Sequence, residues 1–513
     1  MKQEGARPAS GSDPLARALD ALERVGNRLP DPITLFVLLA AAVVAASVVA
    51  AQLGVHVLHP KDGSLVAAVS LLTRENVQRM FTDAVRNFTG FAPLGLVLAT
   101  MIGMGVAEGS GLVAAALRAF VTNIPRAFLT AAIVLTGVNG NIAADAGIVV
   151  LPPLAALLFA AAGRHPVAGI AAAFAGVAGG FSANFLPSSL DALLAGLSQS
   201  ALDASKLAPG YTVQILGNWY FLMASTLLIT AVGTWITDRV VEPRLGPWRG
   251  QAESFEVSGP KERQGLVAAG LTALAFLALT LWLVIGPGAP LRLPGVSGTD
   301  ALKPFFDSIV VLVMLLFLFP GIVYGVVTGS VRNDRDLARM AGQAMSTMGT
   351  YIVLAFVAAQ FVNWFAWSNL ATILAVNGAQ LLRAMHLDGA PLMVGLVFVT
   401  AFLNLFTSSA SAKWATFAPV FVPMFLLLGF SPEGTQIIYR IGDSATNIVT
   451  PLLPYMPFIL TFIKRYDPEA GMGTLIAMMV PYSVAFLVAW TLLLLVWSGF
   501  GWPIGPGVFL RMP

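Results

Sequence analysis

Six charged side chains interrupt otherwise apolar stretches of this chain: Glu108, Asp145, Asp191, Lys413, Arg440 and Asp443. A charge at the bilayer centre costs about 2.5–3.5 kcal/mol on insertion scales, so such residues persist where they meet a partner, a water-filled path or a cargo. Arg440 and Asp443 are three apart and so share one helix face. Either they form a structural ion pair, or Arg440 holds a carboxylate through its bidentate guanidinium while Asp443 exchanges a cation. Asp191 has no basic neighbour in sequence, and burial raises the pKa of an unpaired carboxylate; it is expected to be the protonatable or sodium-linked acid, unless it only caps a helix. Glu108 stands alone. Four acids against two bases suit a site that admits Na+ or H+.

These charges matter only if the chain crosses a membrane, and composition requires that. It is 57% hydrophobic and 11% charged, with a mean hydropathy of +0.80, whereas ordinary soluble domains are about 25% charged. Apolar runs recur at 33–54, 92–120, 129–162, 166–202, 213–236, 266–285, 308–329, 348–382, 391–430, 435–463 and 474–497, each reaching the ~20 residues that span the hydrocarbon layer. The first follows a polar stretch and is too long for a secretory signal, so it reads as a retained helix. The sequence pI near 9.2 follows from lysine and arginine in alternate loops rather than from a nucleic-acid partner, and it places the amino terminus in the cytoplasm by the positive-inside rule.

That topology requires two runs, 127–162 and 391–430, to enter and leave by the same face. Each has polar or glycine residues at its middle, Asn139-Gly140-Asn141 and Thr407-Ser408-Ser409-Ala410-Ser411, and reads as a re-entrant hairpin whose tip must be buried in protein or line a cavity. The following spans are interrupted at 182–189 and at 443–451, in the same order and at nearly the same spacing. Two hairpins and two broken helices in an inverted repeat are the arrangement of a secondary transporter with its site near mid-membrane. The chain then divides into a cytoplasmic tail (1–30), first scaffold helices (31–126), hairpin 1 with its broken helix (127–202), further scaffold helices and a cytoplasmic loop (203–390), hairpin 2 with its broken helix (391–465) and a last helix with an external carboxyl terminus (466–513).

Other residues at the tips and breaks carry chemistry. Trp414 suits stacking on an aromatic ring, or simple packing. Lys413 snorkels or binds anions. Asn139, Asn141 and Asp145 offer oxygens suited to a hard cation. All four histidines fall in expected loops, which argues against an imidazole relay or zinc site within the membrane. The chain has no cysteine, hence no thiol or iron–sulfur chemistry, and no phosphate-cradling loop for an ATPase. Transport then runs on an ion gradient with no cofactor. The rivals are a channel and an intramembrane aspartyl protease using Asp191 and Asp443, although Arg440 beside Asp443 would hold it ionised where a dyad needs one acid protonated.

The segments Ser-Ala-Asn-Phe-Leu-Pro-Ser-Ser-Leu-Asp (182–191), Asn-Leu-Phe-Thr-Ser-Ser-Ala-Ser-Ala-Lys-Trp-Ala (404–415) and Tyr-Arg-Ile-Gly-Asp-Ser-Ala-Thr-Asn-Ile-Val-Thr-Pro (439–451) resemble the AbgT family of p-aminobenzoyl-glutamate transporters. The resemblance covers nearly all of the chain after residue 30. It implies an all-α polytopic protein of nine transmembrane helices plus two hairpins, homodimeric, in the bacterial inner membrane. Its implied activity is cation-coupled transport of p-aminobenzoyl-glutamate-like aromatic acids, some members exporting sulfonamide antimetabolites; carriage of other small carboxylates is the alternative. The implied functional positions are Asp191, Asn404, Ser411, Trp414, Pro432, Arg440 and Asp443, with Na+ expected near Asn141, Asn184, Ser409 and Asn447 if sodium is the coupling ion.

Overall fold

The computed structural model describes residues 32–60, 63–122, 125–140, 146–248, 259–286, 288–296, 300–406, 409–450, 452–453 and 455–512. Asn141, Asp145, Thr407 and Ser408, all expected at the hairpin tips, lie outside the described residues, as does the amino-terminal tail. Among the described residues, eight helices are long and apolar enough to span a membrane: Ile33–Gln52, Ala92–Gly109, Trp219–Leu245, Pro260–Val284, Ile309–Thr328, Gly349–Trp367, Ala410–Leu427 and Met472–Phe500. Ala410–Leu427 falls in the expected second hairpin, which leaves seven unbroken spans. Two broken helices complete the nine crossings. The first runs Pro166–Phe174, continues as a π-helical turn Ala175–Gly179, and resumes at Ser189–Ser205. The second runs Pro432–Thr446 with a 3-10 turn Asn447–Val449, and resumes at Met456–Lys464.

Both expected hairpin segments are two helices joined by a short connection: Leu129–Gly140 and Ala146–Ala161 in hairpin 1, Gly389–Asn404 and Ala410–Leu427 in hairpin 2. Five crossings separate them in the chain, an odd number, so they enter from opposite faces. Two apolar runs differ from expectation. The stretch 92–120 divides into Ala92–Gly109 and Leu112–Thr122, and 348–382 into Gly349–Trp367 and Leu370–Ala384. Each division has a left-handed residue, Gly111 at φ 90° and Asn369 at φ 59°; glycine and asparagine are the types that adopt this conformation most readily. The second short helix turns by 120° into hairpin 2. The repeat is therefore longer than the sequence suggested: span, left-handed break, short helix, hairpin, broken helix, span.

Strands are confined to loops among the described residues: an antiparallel ribbon of His56–Leu58 with Leu65–Ala67, and a carboxyl-terminal one of Pro503–Gly505 with Val508–Phe509. The core divides into two large apolar clusters. One gathers hairpin 1, the first half of the first broken helix, the second broken helix and the last span. The other gathers the first two spans, Ser189–Ser205 and the descending arm of hairpin 2 around Trp414. They meet along the second broken helix, of which every residue from Pro432 to Thr446 is buried. Such a helix belongs inside protein, not against lipid. It packs so closely on hairpin 2 that a Cβ at Gly442 would collide with the Val397 carbonyl oxygen, which fixes the direction in which Asp443 projects.

Candidate substrate and ion site between the repeats

The two aspartates of interest each acquire a cation, but not the ones that sequence proximity suggests. Arg440 Nη2 lies 2.7 Å from Asp191 Oδ1. Asp443 Oδ1 lies 2.5 Å from Lys413 Nζ. Arg440 and Asp443 share a helix but turn to different partners, and the expectation that Asp191 lacks a basic neighbour is corrected: its partner comes from the other repeat. All four side chains are at most 5% exposed.

Local geometry explains each position. Asp191 is the third residue of Ser189–Ser205, and its Oδ2 accepts from the Ser188 backbone N–H at 2.7 Å and the Ser188 hydroxyl at 2.8 Å, so it also caps that helix. A helix amino terminus favours negative charge. Asn184, in the break, donates to the same oxygen at 3.4 Å. Arg440 places its guanidinium against Asp191, and its Nε and Nη1 have no hydrogen-bond acceptor among the described residues. Buried donors are almost always matched, and these guanidinium nitrogens are donors that an oxyanion can accept from.

Around Asp443, hairpin 2 closes on the second break. Asn404, the last residue of the ascending arm, donates through Nδ2 to the Asp443 carbonyl at 2.5 Å, Thr446 Oγ1 at 2.9 Å and Asn447 Oδ1 at 3.0 Å, while its Oδ1 accepts from Lys413. Asn139, at the end of the ascending arm of hairpin 1, does the parallel job: its Oδ1 accepts from the Phe185 backbone N–H at 3.0 Å. Each hairpin thus anchors the break of its own repeat with one asparagine. Trp219 fixes the first break from the other side, its indole donating to the Phe185 carbonyl at 2.8 Å.

Trp414 is fully buried; its ring packs against Tyr439 at 4.6 Å between centroids, tilted by 31°, and its indole donates to Ser198 Oγ at 3.0 Å. Ser409 caps the descending arm by accepting from Ala412 N–H, and Ser411 lies 3.2 Å from it, hydroxyl to hydroxyl. Pro432 opens the second broken helix two turns before Arg440, about 12 Å along the axis at 1.5 Å per residue. Glu108 is exposed at the end of its helix, which removes it from the count of buried acids.

The model of the AbgT transporter family matches residues 17–512. The chain belongs to the AbgT family. It is 39% identical over 492 residues to the p-aminobenzoyl-glutamate transport protein of Escherichia coli K12, with 96% of each chain covered. Two solved relatives share its fold. The YdaH transporter of Alcanivorax borkumensis, described as having an unusual topology, is 45% identical with a TM-score of 0.89, over 93% of this chain and all of that one. MtrF of Neisseria gonorrhoeae, described as illuminating a class of antimetabolite efflux pumps, is 43% identical with a TM-score of 0.90, over 96% of this chain and all of that one. This AbgT chain is a transporter, not an enzyme, and the protease reading is set aside.

Two polar clusters of this AbgT member escaped the sequence reading. Glu433 is 1% exposed; it accepts from the Tyr211 hydroxyl at 2.9 Å and the Gln214 backbone N–H at 2.9 Å. Following Ser431-Pro432, it looks like an ordinary acid in a first helical turn, and the segment that buries it is distant in sequence. Arg164, in the turn after hairpin 1, joins Glu242 at 3.0 Å, Asp238 at 2.6 Å and Thr130 at 2.6 Å, tying the base of hairpin 1 to the end of Trp219–Leu245. Beside it, His165 caps Pro166–Phe174 by accepting from the Val167 N–H at 3.3 Å. Burial lowers the His165 pKa, against the opposing charges of Glu242 and Asp467.

Proposed function

We propose that this chain is a cation-coupled carrier of p-aminobenzoyl-glutamate-like aromatic acids, including antimetabolites such as sulfonamides, in the bacterial inner membrane. The observation that carries this reading is the buried Arg440 guanidinium with two unspent nitrogens at the junction of the repeats. A glutamate carboxylate presents the planar pair of acceptors that such a fork takes bidentately. Asn404, Ser411 and Trp414 are assigned as further substrate contacts, and Pro432 sets the start of the helix that carries Arg440 and Asp443. Asp191 and Asp443 are the cation-linked carboxylates, with Asn139 and, beyond the described residues, Asn141 and Asp145 on the hairpin 1 side. Where sodium is the coupling ion, Asn184 in the first break supplies oxygen to it, while Ser409 and Asn447 belong to the second repeat, beside Lys413. The carrier works as a homodimer with its amino terminus in the cytoplasm; the segments 127–202 and 391–465 form its transport core.

Counterflow of labelled p-aminobenzoyl-glutamate in proteoliposomes, with Na+ and pH varied independently, tests substrate and coupling together. Saturable counterflow that unlabelled substrate drives is expected. Flux that never saturates would point to a channel, and counterflow with other small carboxylates alone would redirect the substrate assignment.

A further inference from the structure

Among the described residues, the second repeat holds an ion pair between hairpin arm and broken helix, and the first holds none there. Lys413 is the fourth residue of its hairpin arm and Asp443 the twelfth of its broken helix; the residues at the same places in the first repeat are Val149 and Val177. Replacing a buried ion pair by apolar residues is often neutral or stabilising, so Lys413 and Asp443 are not explained by fold stability.

Their surroundings supply another reason. The Lys413 ammonium sits against Asn404 Oδ1 and Asp443 Oδ1. The carboxyl-terminal ends of Gly389–Asn404 and Pro432–Thr446 converge there, and both helix dipoles present their negative ends. Asp443 Oδ2 and Ser444 Oγ have no hydrogen-bond partner among the described residues, and the Asp443 carbonyl, Thr446 Oγ1 and Asn447 Oδ1 are tied to the same Asn404 amide. A carboxylate with carbonyl and hydroxyl oxygens at half-helix ends is the donor set that transporters offer to a hard monovalent cation.

We propose that the Lys413 ammonium is a tethered cation resident in the second repeat's ion site, which it keeps from binding Na+, so that Lys413 determines how many free ions each protomer takes. The proposal rests on the cation-coupled reading above but not on the identity of the cargo. Lys413→Ala and Lys413→Gln remove the ammonium and leave the oxygens; Lys413→Arg keeps a charge.

The test measures equilibrium binding of radioactive Na+ and thermal unfolding of the full-length purified protein in NaCl against choline chloride at constant ionic strength. Both neutral variants are expected to bind an additional sodium ion per protomer and to gain a sodium-dependent rise in melting temperature beyond that of the parent protein. Lys413→Arg should match the parent, and Lys413→Ala with Asp443→Asn should lose the gain. Neutral variants that accumulate yet bind no more sodium than the parent would overturn the proposal. So would failure of both to accumulate in high sodium while Lys413→Arg does, because a free cation would then be unable to replace the ammonium. The ion-binding readout needs no substrate, so a wrong cargo assignment leaves its result standing.

Discussion

Arg440 and Asp191 join the two repeats through one contact, Nη2 to Oδ1 at 2.7 Å, inside a region at most 5% exposed. The pair links the amino-terminal end of a half-helix in the first repeat to the interior of the broken helix in the second. On the proposed reading, cargo that takes the guanidinium competes with a resident carboxylate.

Removal of either partner alone strands a buried charge, at a cost of about 3–5 kcal/mol. Arg440→Ala is expected to lower the melting temperature sharply and abolish binding of anionic cargo. The double variant Arg440→Ala with Asp191→Asn should recover much of the stability and none of the binding. Equal melting temperatures for single and double variants would show that the pair carries no coupling energy.

Asp191→Asn alone should tighten anion binding while stopping gradient-driven flux, because Arg440 loses its competitor as the carrier loses a cation-linked group. Equilibrium binding measured beside proteoliposome uptake separates the two effects. Weaker binding together with intact coupled flux would reverse the roles assigned to this carboxylate.

Asn139 and Asn404 are expected to behave as counterparts. Alanine at either removes the anchor of one break and costs about 1–3 kcal/mol for the buried backbone or side-chain groups left unmatched. Proteolytic susceptibility should rise at 181–188 for Asn139→Ala and at 447–455 for Asn404→Ala. Loosening of the same break by both variants would contradict the repeat-by-repeat anchoring.

His165 predicts a pH dependence. Its folded pKa lies below the usual value of about 6.5, so the unfolded chain binds the proton more readily and stability rises with pH between the two values. The contribution is whole above about pH 6.5 and is lost as pH falls through that window, because a proton on Nδ1 also destroys the cap on Val167. Thermal unfolding from pH 7.5 to 5.5 should show a shallower slope in His165→Gln than in the parent; parallel slopes would discount the residue.

Orientation can be read with single cysteines, since the chain has none. Cysteine at Gly163, in the turn after hairpin 1, should be labelled from the cytoplasmic side, and cysteine at Asp388, before hairpin 2, from the external side. Labelling of both by an impermeant reagent from the same side would contradict opposite entry of the hairpins.

The hairpins and helix breaks were legible in the sequence because polar residues inside apolar runs are costly and so stand out. The repeat was legible because the breaks follow the tips in the same order. Ion-pair partners were not: Arg440 and Asp443 look matched along one helix, but pairing with Asp191 and Lys413 depends on how distant segments cross. Glu433 was missed because its local pattern is that of an exposed helix start, and only Tyr211 and Gln214 reveal otherwise. The match between Asn139 and Asn404 was available, since each is the last asparagine before the described arm ends, and alignment of the two halves would have found it.

Asp191 with Arg440 and Lys413 with Asp443 sum to zero charge at the seam. An elementary charge moved across the membrane exchanges about 2.3 kcal/mol with each 100 mV of potential. With all four groups ionised, a seam that reorients unloaded moves no net charge, and the membrane voltage does no work on it. On the cation-coupled reading proposed above, an electrogenic step then belongs to the loaded carrier, where cargo and coupling ion supply charges that the four side chains do not cancel.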